Sequence, residues 1–506
     1  MRSVAPWFGL ELRSWSLDPQ RTRSLAVFVD VSALESGAVL RARVCVIGSG
    51  PAGMTTAVAL VKKGYDVILV EAGGRNMTAE SQAQFEGEVI GDRYYDLSFA
   101  RLRMFGGTSN HWGGYSIPLD QHDFETNPNF ADTEWPISRS DLDPYLEATC
   151  EILEIPNRFE NELITPSLRR TQFQFSTPVK FNFKYDEFCK NNDRLRVCLN
   201  SALTDLSVKD GAVEAAIVKT IDGREFSIEA GCFALCAGAI ENSRLLLWMN
   251  QQSGGRLVQN SRALGRYWME HPHANVGDFL LETGPQFFRD GHLGPQASFA
   301  LTKETQYDLG VLNAHLIIEE QAYSTTKEWI ADLLCIAPAL GERLMGLLDK
   351  NLVCGARIRS LWEQEPRFEN HVALDSTKLD GFGIPQVELH WKKSEADRRT
   401  IVVTTNEFAR EIANSEIGRV RLVNWVIGDG PIAPQKVMGS WHHMGGTRMS
   451  DSPDQGIVDR NLLVHGLRNL YVGGSSVFPS GGFANPTLTI VQLALRLSDE
   501  IERKLT

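Results

Sequence analysis

The stretch from Arg43 to Glu71 constrains this chain more than any other. Val44-Cys45-Val46-Ile47 is an unbroken apolar run that reads as a parallel strand buried on both faces, and it leads straight into Gly48-Ser49-Gly50-Pro51-Ala52-Gly53. A helix is predicted through Met54 to Lys63, Gly64 ends it, Val67 to Val70 forms a second strand, and Glu71 stands at that strand's end. Each glycine has its own task in such a βαβ unit. Gly48 makes the tight turn, Gly50 lets backbone approach a pyrophosphate, and Gly53 lets helix and strand pack closely, while the helix N-terminus offers N–H groups and positive dipole to the phosphates. Glu71 can accept hydrogen bonds from a ribose diol and would repel a 2′-phosphate, so NADP is disfavoured and NAD and FAD both remain open. No second fingerprint of this kind occurs, which points to one nucleotide cofactor.

Composition narrows the class. At roughly 150 residues per domain, 506 residues give two to four domains with a core that needs no disulfide or metal support. The 51 Lys and Arg against 63 Asp and Glu leave a net charge of −12, which repels a nucleic-acid backbone and an anionic membrane alike. The 8 cysteines form no CxxC pair and several sit in apolar runs, which argues against a metal cluster or disulfide framework and for a reducing, cytoplasmic setting. The first 24 residues lack the basic start, apolar centre and small-residue cleavage site of a secretory signal. The longest apolar stretch, Leu333 to Gly341, is broken by Pro338 and falls short of the ~20 residues that cross a bilayer. No transmembrane segment is expected.

Further glycine-rich blocks follow in a telling order. Phe105-Gly106-Gly107-Thr108-Ser109-Asn110-His111-Trp112-Gly113-Gly114 comes first, then Trp441-His442-His443-Met444-Gly445-Gly446-Thr447-Arg448-Met449, then Asn469-Leu470-Tyr471-Val472-Gly473-Gly474-Ser475-Ser476-Val477-Phe478-Pro479, then Asn485-Pro486-Thr487. With these blocks the chain resembles the glucose-methanol-choline (GMC) oxidoreductases, and within them the bacterial sugar and polyol dehydrogenase and pyranose oxidase branch. The resemblance runs from about Phe28 to the C-terminus and is thin between about 275 and 435. It implies FAD as cofactor, a hydroxyl of a sugar, glycoside or polyol as substrate, and oxygen, a quinone or a redox protein as electron acceptor.

Oxidising an alcohol with a flavin removes a hydroxyl proton and a carbon-bound hydride, so the site needs a base whose pKa lies near neutrality, and His is the natural choice. Among 11 histidines, the family's H-x-x-G-T pattern falls on His443, with Gly446 and Thr447 completing it. His442 then takes a packing or supporting position, since adjacent side chains on an extended segment point oppositely. Asn485 precedes a helix that Pro486 can open and that carries Leu488, Val491, Leu495 and Leu497; it can cap that helix, and the resemblance gives it the substrate oxygen beside the base. His111 stands where some members bond a histidine to the flavin 8α carbon, so covalent attachment and a non-bonded pocket histidine are both open. Ser109-Asn110-His111-Trp112 departs from the pyranose oxidase segment at Asn110, where that enzyme has Thr. Gly106, Gly107, Ser109 and Asn110 of that block, Ala237 in the strand-turn-helix Phe233 to Gly238, and Gly474, Ser475, Pro486 and Thr487 complete the expected flavin contacts. Gly474 replaces an acid common in the family, which implies backbone N–H contacts instead. Glu270-His271-Pro272-His273 marks a crossing between domains, and its histidine spacing alone does not make a zinc site.

The expected architecture is α/β, α+β overall: a Rossmann-like FAD-binding domain from 28–120, 190–275 and 436–506, and a discontinuous substrate domain from 121–189 and 276–435 built on an antiparallel sheet, with 1–27 as an N-terminal extension. Val372-Ala373-Leu374 and Val387 to Trp391 alternate as half-buried strands around the turn Asp380 to Gly383, and Trp329 to Leu348 is apolar at helical spacing, as a packed helix, lid, subunit contact or membrane-surface helix would be. An oligomer is compatible with the sequence. Rival readings keep the chemistry on a non-sugar or aminoglycoside alcohol, or replace it with an NAD-dependent dehydrogenase or a non-catalytic flavin-binding protein.

Overall fold

The computed structural model describes residues 28–29, 31, 34–259, 262–281, 296–320, 337, 356–416, 418–428 and 436–506. The strand that opens the glycine motif spans Val39–Ile47, longer than its apolar run, because only Val44 to Ile47 is buried on both faces while Val39 to Arg43 alternates. Helix Pro51–Lys62 follows with Pro51 in its first turn, Gly64 turns the chain at φ +91°, and strand Val67–Val70 lies parallel to the first. The predicted βαβ unit is present.

That unit lies inside an eight-stranded sheet. Phe28–Val29, Leu195–Cys198, Val67–Val70, Val39–Ile47 and Glu225–Leu235 run parallel in that spatial order, and Leu470–Val472 adds to Glu225–Leu235 from near the C-terminus. The antiparallel strands Ala212–Lys219 and Ala202–Lys209 extend the sheet on the side of Glu225–Leu235. C-terminal helix Pro486–Leu505 packs against Pro51–Lys62, burying Leu488, Val491 and Leu497, and Lys63 pairs with Asp499 at 2.6 Å.

The second unit is a seven-stranded antiparallel sheet ordered Asn161–Leu163, Leu168–Thr171, Gln296–Leu301, Ala314–Glu320, Ala356–Trp362, His273–Leu281 and Gly418–Leu422. Helix Glu395–Asn414, capped by Ser394, covers it through Phe408 against Phe279 and Phe299. The two alternating segments near 372 and 390 do pair, as His371–Leu379 with Pro385–Trp391, but outside this sheet: Gly87–Gly91 joins Pro385–Trp391 in parallel, making a separate three-stranded sheet. Alternation reports that one face is buried, not against what. Here the buried face meets Leu97, Ile240 and Trp268 from around the nucleotide-binding unit. The apolar segment 329–348, Ala337 apart, and residues 1–27 fall outside the described residues.

Among the described residues no helix is long and apolar enough to cross a membrane, and no three His, Cys, Asp or Glu side chains converge as a metal site. Cys45, Cys150, Cys189, Cys198, Cys232 and Cys236 are buried free thiols.

Candidate active site

A cavity of about 500 Å³ lies at the C-terminal ends of the parallel strands, within the range of small-molecule and cofactor sites. Its floor is the glycine turn. Gly48 donates its N–H to the Val70 carbonyl at 2.7 Å with φ +99°, and a Cβ there would lie 2.7 Å from the Cys236 carbonyl carbon. At Gly53 a Cβ would sit 3.0 Å from the Gly48 carbonyl carbon, so this glycine closes the turn on the helix. Gly50 differs: nothing lies within 4 Å of its Cβ position, and its backbone lines the cavity. Close packing at Gly48 and Gly53 with open space at Gly50 is the arrangement a pyrophosphate requires.

Glu71 lines the cavity beside this turn. Its carboxylate accepts from Ser49 N at 3.1 Å, from Gly73 N at 2.8 Å and from the Ser49 hydroxyl. Burial pushes the carboxyl above its ordinary range, and the hydrogen bonds act against that rise. Ala237, presented by the turn between strand Glu225–Leu235 and helix Ala239–Gln252, faces the same space. A dinucleotide fits these residues.

On the same cavity, one short ribbon of backbone presents three aromatic side chains. Trp441 stacks on His111, with centroids 5.2 Å apart and planes at 21°, and its backbone is left-handed at φ +62°. Next to it, His442 accepts at Nε2 from Asn485 Nδ2 at 3.1 Å and meets His271 Nδ1 with its own Nδ1 at 2.9 Å. His443 turns the other way, its Nε2 2.9 Å from the Tyr94 hydroxyl. With Glu270 ionised, Tyr94 donates its hydroxyl hydrogen to Glu270 Oε2 at 3.0 Å, and His443 Nε2 is then the donor towards Tyr94.

This corrects the expected pairing. His443 was expected beside Asn485, but the histidine in contact with Asn485 is His442, and His443 Nε2 meets the Tyr94 hydroxyl instead. The cause is register. With two consecutive histidines and two consecutive glycines, Gly445 and Gly446, the block can be counted one residue either way. Asn485 occupies the position before helix Pro486–Leu505, yet its side chain makes no cap hydrogen bond and is spent on His442.

Glu270 organises the ribbon, and no local sequence signal marks it for this. Its Oε2 accepts from Trp441 N at 2.8 Å as well as from Tyr94, and its Oε1 accepts from His271 N at 3.1 Å and from His442 N. Burial pushes this carboxyl up to about 7 despite those four donors. The histidines shift oppositely: desolvation holds His271 down to about 4, His443 to about 3, and His442 well below the ordinary imidazole range. All three rings are therefore neutral at pH 7.

Of the expected flavin contacts, Gly48, Gly50, Glu71, Gly107, Ser109, His111, Ala237, Gly474, Ser475, Pro486 and Thr487 line the cavity, as do Asn485, His442 and His443. Gly53, Gly106 and Asn110 do not. Gly106 donates its N–H to the Ser49 hydroxyl at 2.9 Å, and Asn110 donates to the carbonyls of Phe105 at 3.1 Å and Gly107 at 2.8 Å, so both brace the loop. Ser475 donates to the His443 carbonyl at 2.6 Å and fixes the histidine ribbon against the last strand. His111 Nε2 is buried and finds no hydrogen-bond partner among the described residues. Arg101 and Arg103 line the cavity without having been singled out by sequence, and Trp441, which opens the histidine block, lines it as well.

Fold and site together define a nucleotide-binding α/β enzyme that carries a histidine and a carboxamide on the wall of its cofactor cavity. Comparison with known proteins makes this specific. Residues 366–494 match the GMC oxidoreductase family model and residues 46–100 an NAD(P)-binding Rossmann-like domain, so the chain carries a GMC oxidoreductase C-terminal domain together with a Rossmann-like one. It is 23% identical to the fructose dehydrogenase large subunit of Gluconobacter japonicus over 561 aligned positions, covering 92% of this chain and 98% of that protein. It is 30% identical to a C-glycoside 3-oxidase of Microbacterium trichothecenolyticum over 325 positions, covering 62% of this chain and 56% of that protein. Among solved structures, pyridoxine 4-oxidase from Mesorbium loti superposes with a TM-score of 0.56 at 15% identity, over 91% of this chain and 99% of that one. An Aspergillus oryzae formate oxidase superposes at 0.58 and 15% identity, over 93% and 99%.

Proposed function

We propose that the chain oxidises a hydroxyl group of a sugar, glycoside or polyol to the carbonyl with FAD as its cofactor, and that His442 is the base. The observation that carries this is the Asn485–His442 contact on the wall of the same cavity that the glycine turn lines. His442 Nε2 bears a lone pair and Asn485 Nδ2 a hydrogen-bond donor, so an alcohol oxygen placed between them gives its proton to the imidazole and holds its developing carbonyl against the amide. Bound here, the flavin supplies the hydride acceptor for the substrate's C–H electron pair. Neutrality of His442 keeps it in its basic form across the physiological range. Arg101 and Arg103, both buried at the cavity wall, present positive charge there.

The carbohydrate class is supported by relatives named for fructose and C-glycosides. Anaerobic mixing with a panel of sugars, glycosides and simple alcohols tests it: bleaching of the flavin by a sugar or polyol is expected, and bleaching by simple alcohols alone would refute the class. His442→Gln is expected to retain flavin and slow its reduction by about 10²–10⁴-fold, the usual contribution of a general base. His443→Gln, whose amide can still donate to Tyr94, should cost far less. The reverse order would restore His443 as the base.

The unpartnered, buried His111 Nε2 on the cavity wall supports a covalent bond from this nitrogen to the flavin. Acid precipitation should then leave the yellow colour in the pellet. Colour released to the supernatant would refute the bond.

A further inference from the structure

We propose that His271 is a positioning residue that dictates the tautomer of His442, holding the hydrogen on His442 Nδ1 and leaving Nε2 free to accept the substrate proton; this rests on the reading of His442 as the base. The two segments are fixed by a short antiparallel ribbon. Met269 and Met444 exchange N–H···O bonds of 2.8 and 3.0 Å, and His273 and Met438 exchange bonds of 2.8 and 3.1 Å. Ser440, between them, donates its hydroxyl to the His271 carbonyl at 2.7 Å and lies 3.0 Å from His273 Nδ1. The His271 and His442 rings therefore meet at a set place, centroids 5.1 Å apart and planes at 89°.

Hydrogens can be assigned along this chain from its ends. His271 Nε2 faces the Gly482 carbonyl at 2.8 Å, and a carbonyl only accepts, so that nitrogen carries a hydrogen. In a neutral ring His271 Nδ1 then has only a lone pair. It faces His442 Nδ1 at 2.9 Å, so the hydrogen in that contact belongs to His442. A neutral His442 is thereby left with a bare Nε2, which is what the Asn485 amide, donating at 3.1 Å, requires. One direction of donation runs throughout: Asn485 to His442, His442 to His271, His271 to Gly482. Turning either ring over would set carbon against both of its partners, so the orientation is determined as well.

Neutrality has its own physical basis. His442 is crowded by His271, His273, His443 and His315, and burial lowers His271 and His442 alike, so neither ring retains an extra proton at pH 7. When the substrate proton reaches His442 Nε2, the His271 lone pair already accepts the His442 Nδ1–H and stabilises the imidazolium that forms. A carboxylate would do this more strongly but would raise the resting pKa of the base. A neutral acceptor orients the ring without that cost.

The decisive measurement is the ¹⁵N spectrum of the holoenzyme labelled at histidine, with His442→Gln supplying the assignment. His442 is expected to show a pyrrole-type Nδ1 and a pyridine-type Nε2. An Nε2–H tautomer in the wild type would overturn the proposal whether or not any variant folds. In His271→Leu, which removes the acceptor, the Nε2–H form should appear, and flavin reduction at saturating alcohol should fall by at least 10-fold, towards the ~10²–10⁴-fold that a general base contributes, without a matching rise in KM. His271→Gln, whose Oε1 can accept the same hydrogen, should recover most of the loss. An unchanged tautomer in His271→Leu would also refute the proposal. Full activity of His442→Gln would remove the base assignment alone, since nitrogen shifts report the tautomer independently of turnover.

Discussion

Replacing Glu270 by Gln tests whether burial or hydrogen bonding governs the ribbon that holds the histidines. The carboxylate accepts four donors, two on each oxygen: Trp441 N and Tyr94 Oη on one, His271 N and His442 N on the other. An amide keeps one acceptor oxygen and turns an NH₂ towards the other pair. The better placement leaves the amide oxygen on His271 N and His442 N, lets the Tyr94 hydroxyl rotate, and strands only Trp441 N. One buried backbone donor without a partner costs about 1–3 kcal/mol. The penalty has a predictable pH dependence. Because the folded carboxyl is raised to about 7 from an ordinary 4.5, the fold binds more protons than the unfolded chain between those values, and Glu270 contributes stability that is lost as pH rises through that window. Gln does not titrate. The wild-type advantage should therefore be largest near pH 5 and shrink by about 1.4 kcal/mol per pH unit up to about pH 7. Denaturant or thermal melts of the two holoproteins at pH 5, 6, 7 and 8 measure this. A gap that stays level from pH 5 to pH 8 would mean that the four donors hold the carboxyl at or below its ordinary value and that burial loses.

Gly53→Ala places a methyl 3.2 Å from the Cys236 side chain and harder still against the Gly48 carbonyl, so it should destabilise the protein by about 1–3 kcal/mol or more in a melt, whereas Gly50→Ala meets nothing within 4 Å and should fold normally but retain flavin poorly on gel filtration. Equal flavin retention by Gly50→Ala and wild type would refute the role of that backbone. Asn485→Asp puts a carboxylate where an amide now donates to His442 Nε2, which raises the pKa of that ring; flavin reduction should fall at neutral pH and recover as pH rises, and an unchanged pH profile would remove Asn485 from the site. His443, held down to about 3 from an ordinary 6.5, supports stability that is present above pH 6.5 and lost as pH falls towards 3. His443→Gln should thus make the acid decline of stability shallower by about 1.4 kcal/mol per pH unit between roughly pH 6 and 4, as unfolding free energies at those pH values would register.

What could be read from sequence follows from distance along the chain. The βαβ unit was legible because its turn, helix and acid lie within one short segment and each glycine meets a local steric demand. The helix after Asn485 was legible for the same reason, through Pro486 and its apolar spacing. The seven-stranded sheet was not, since its strands are drawn from 161–171, 273–320, 356–362 and 418–422 and pair with partners that alternation cannot name. The histidine doublet was misread because a pattern count does not fix which ring faces Asn485; only the backbone path through the left-handed Trp441 does. Glu270 and Tyr94 were invisible as a pair, being 176 residues apart and ordinary in context. Of the site's parts, those meeting backbone constraints were the readable ones, and those meeting across the fold were not.

Strand Leu470–Val472 and the helix after Asn485 complete a cavity whose floor is made by Gly48 and Gly50. During synthesis the phosphate-binding turn thus emerges some four hundred residues before the wall that encloses the rest of the ligand. A nascent chain still held at the ribosome can grip at most one end of the cofactor, so loading is an event of the finished polypeptide, and a message truncated ahead of that strand yields a product unable to colour.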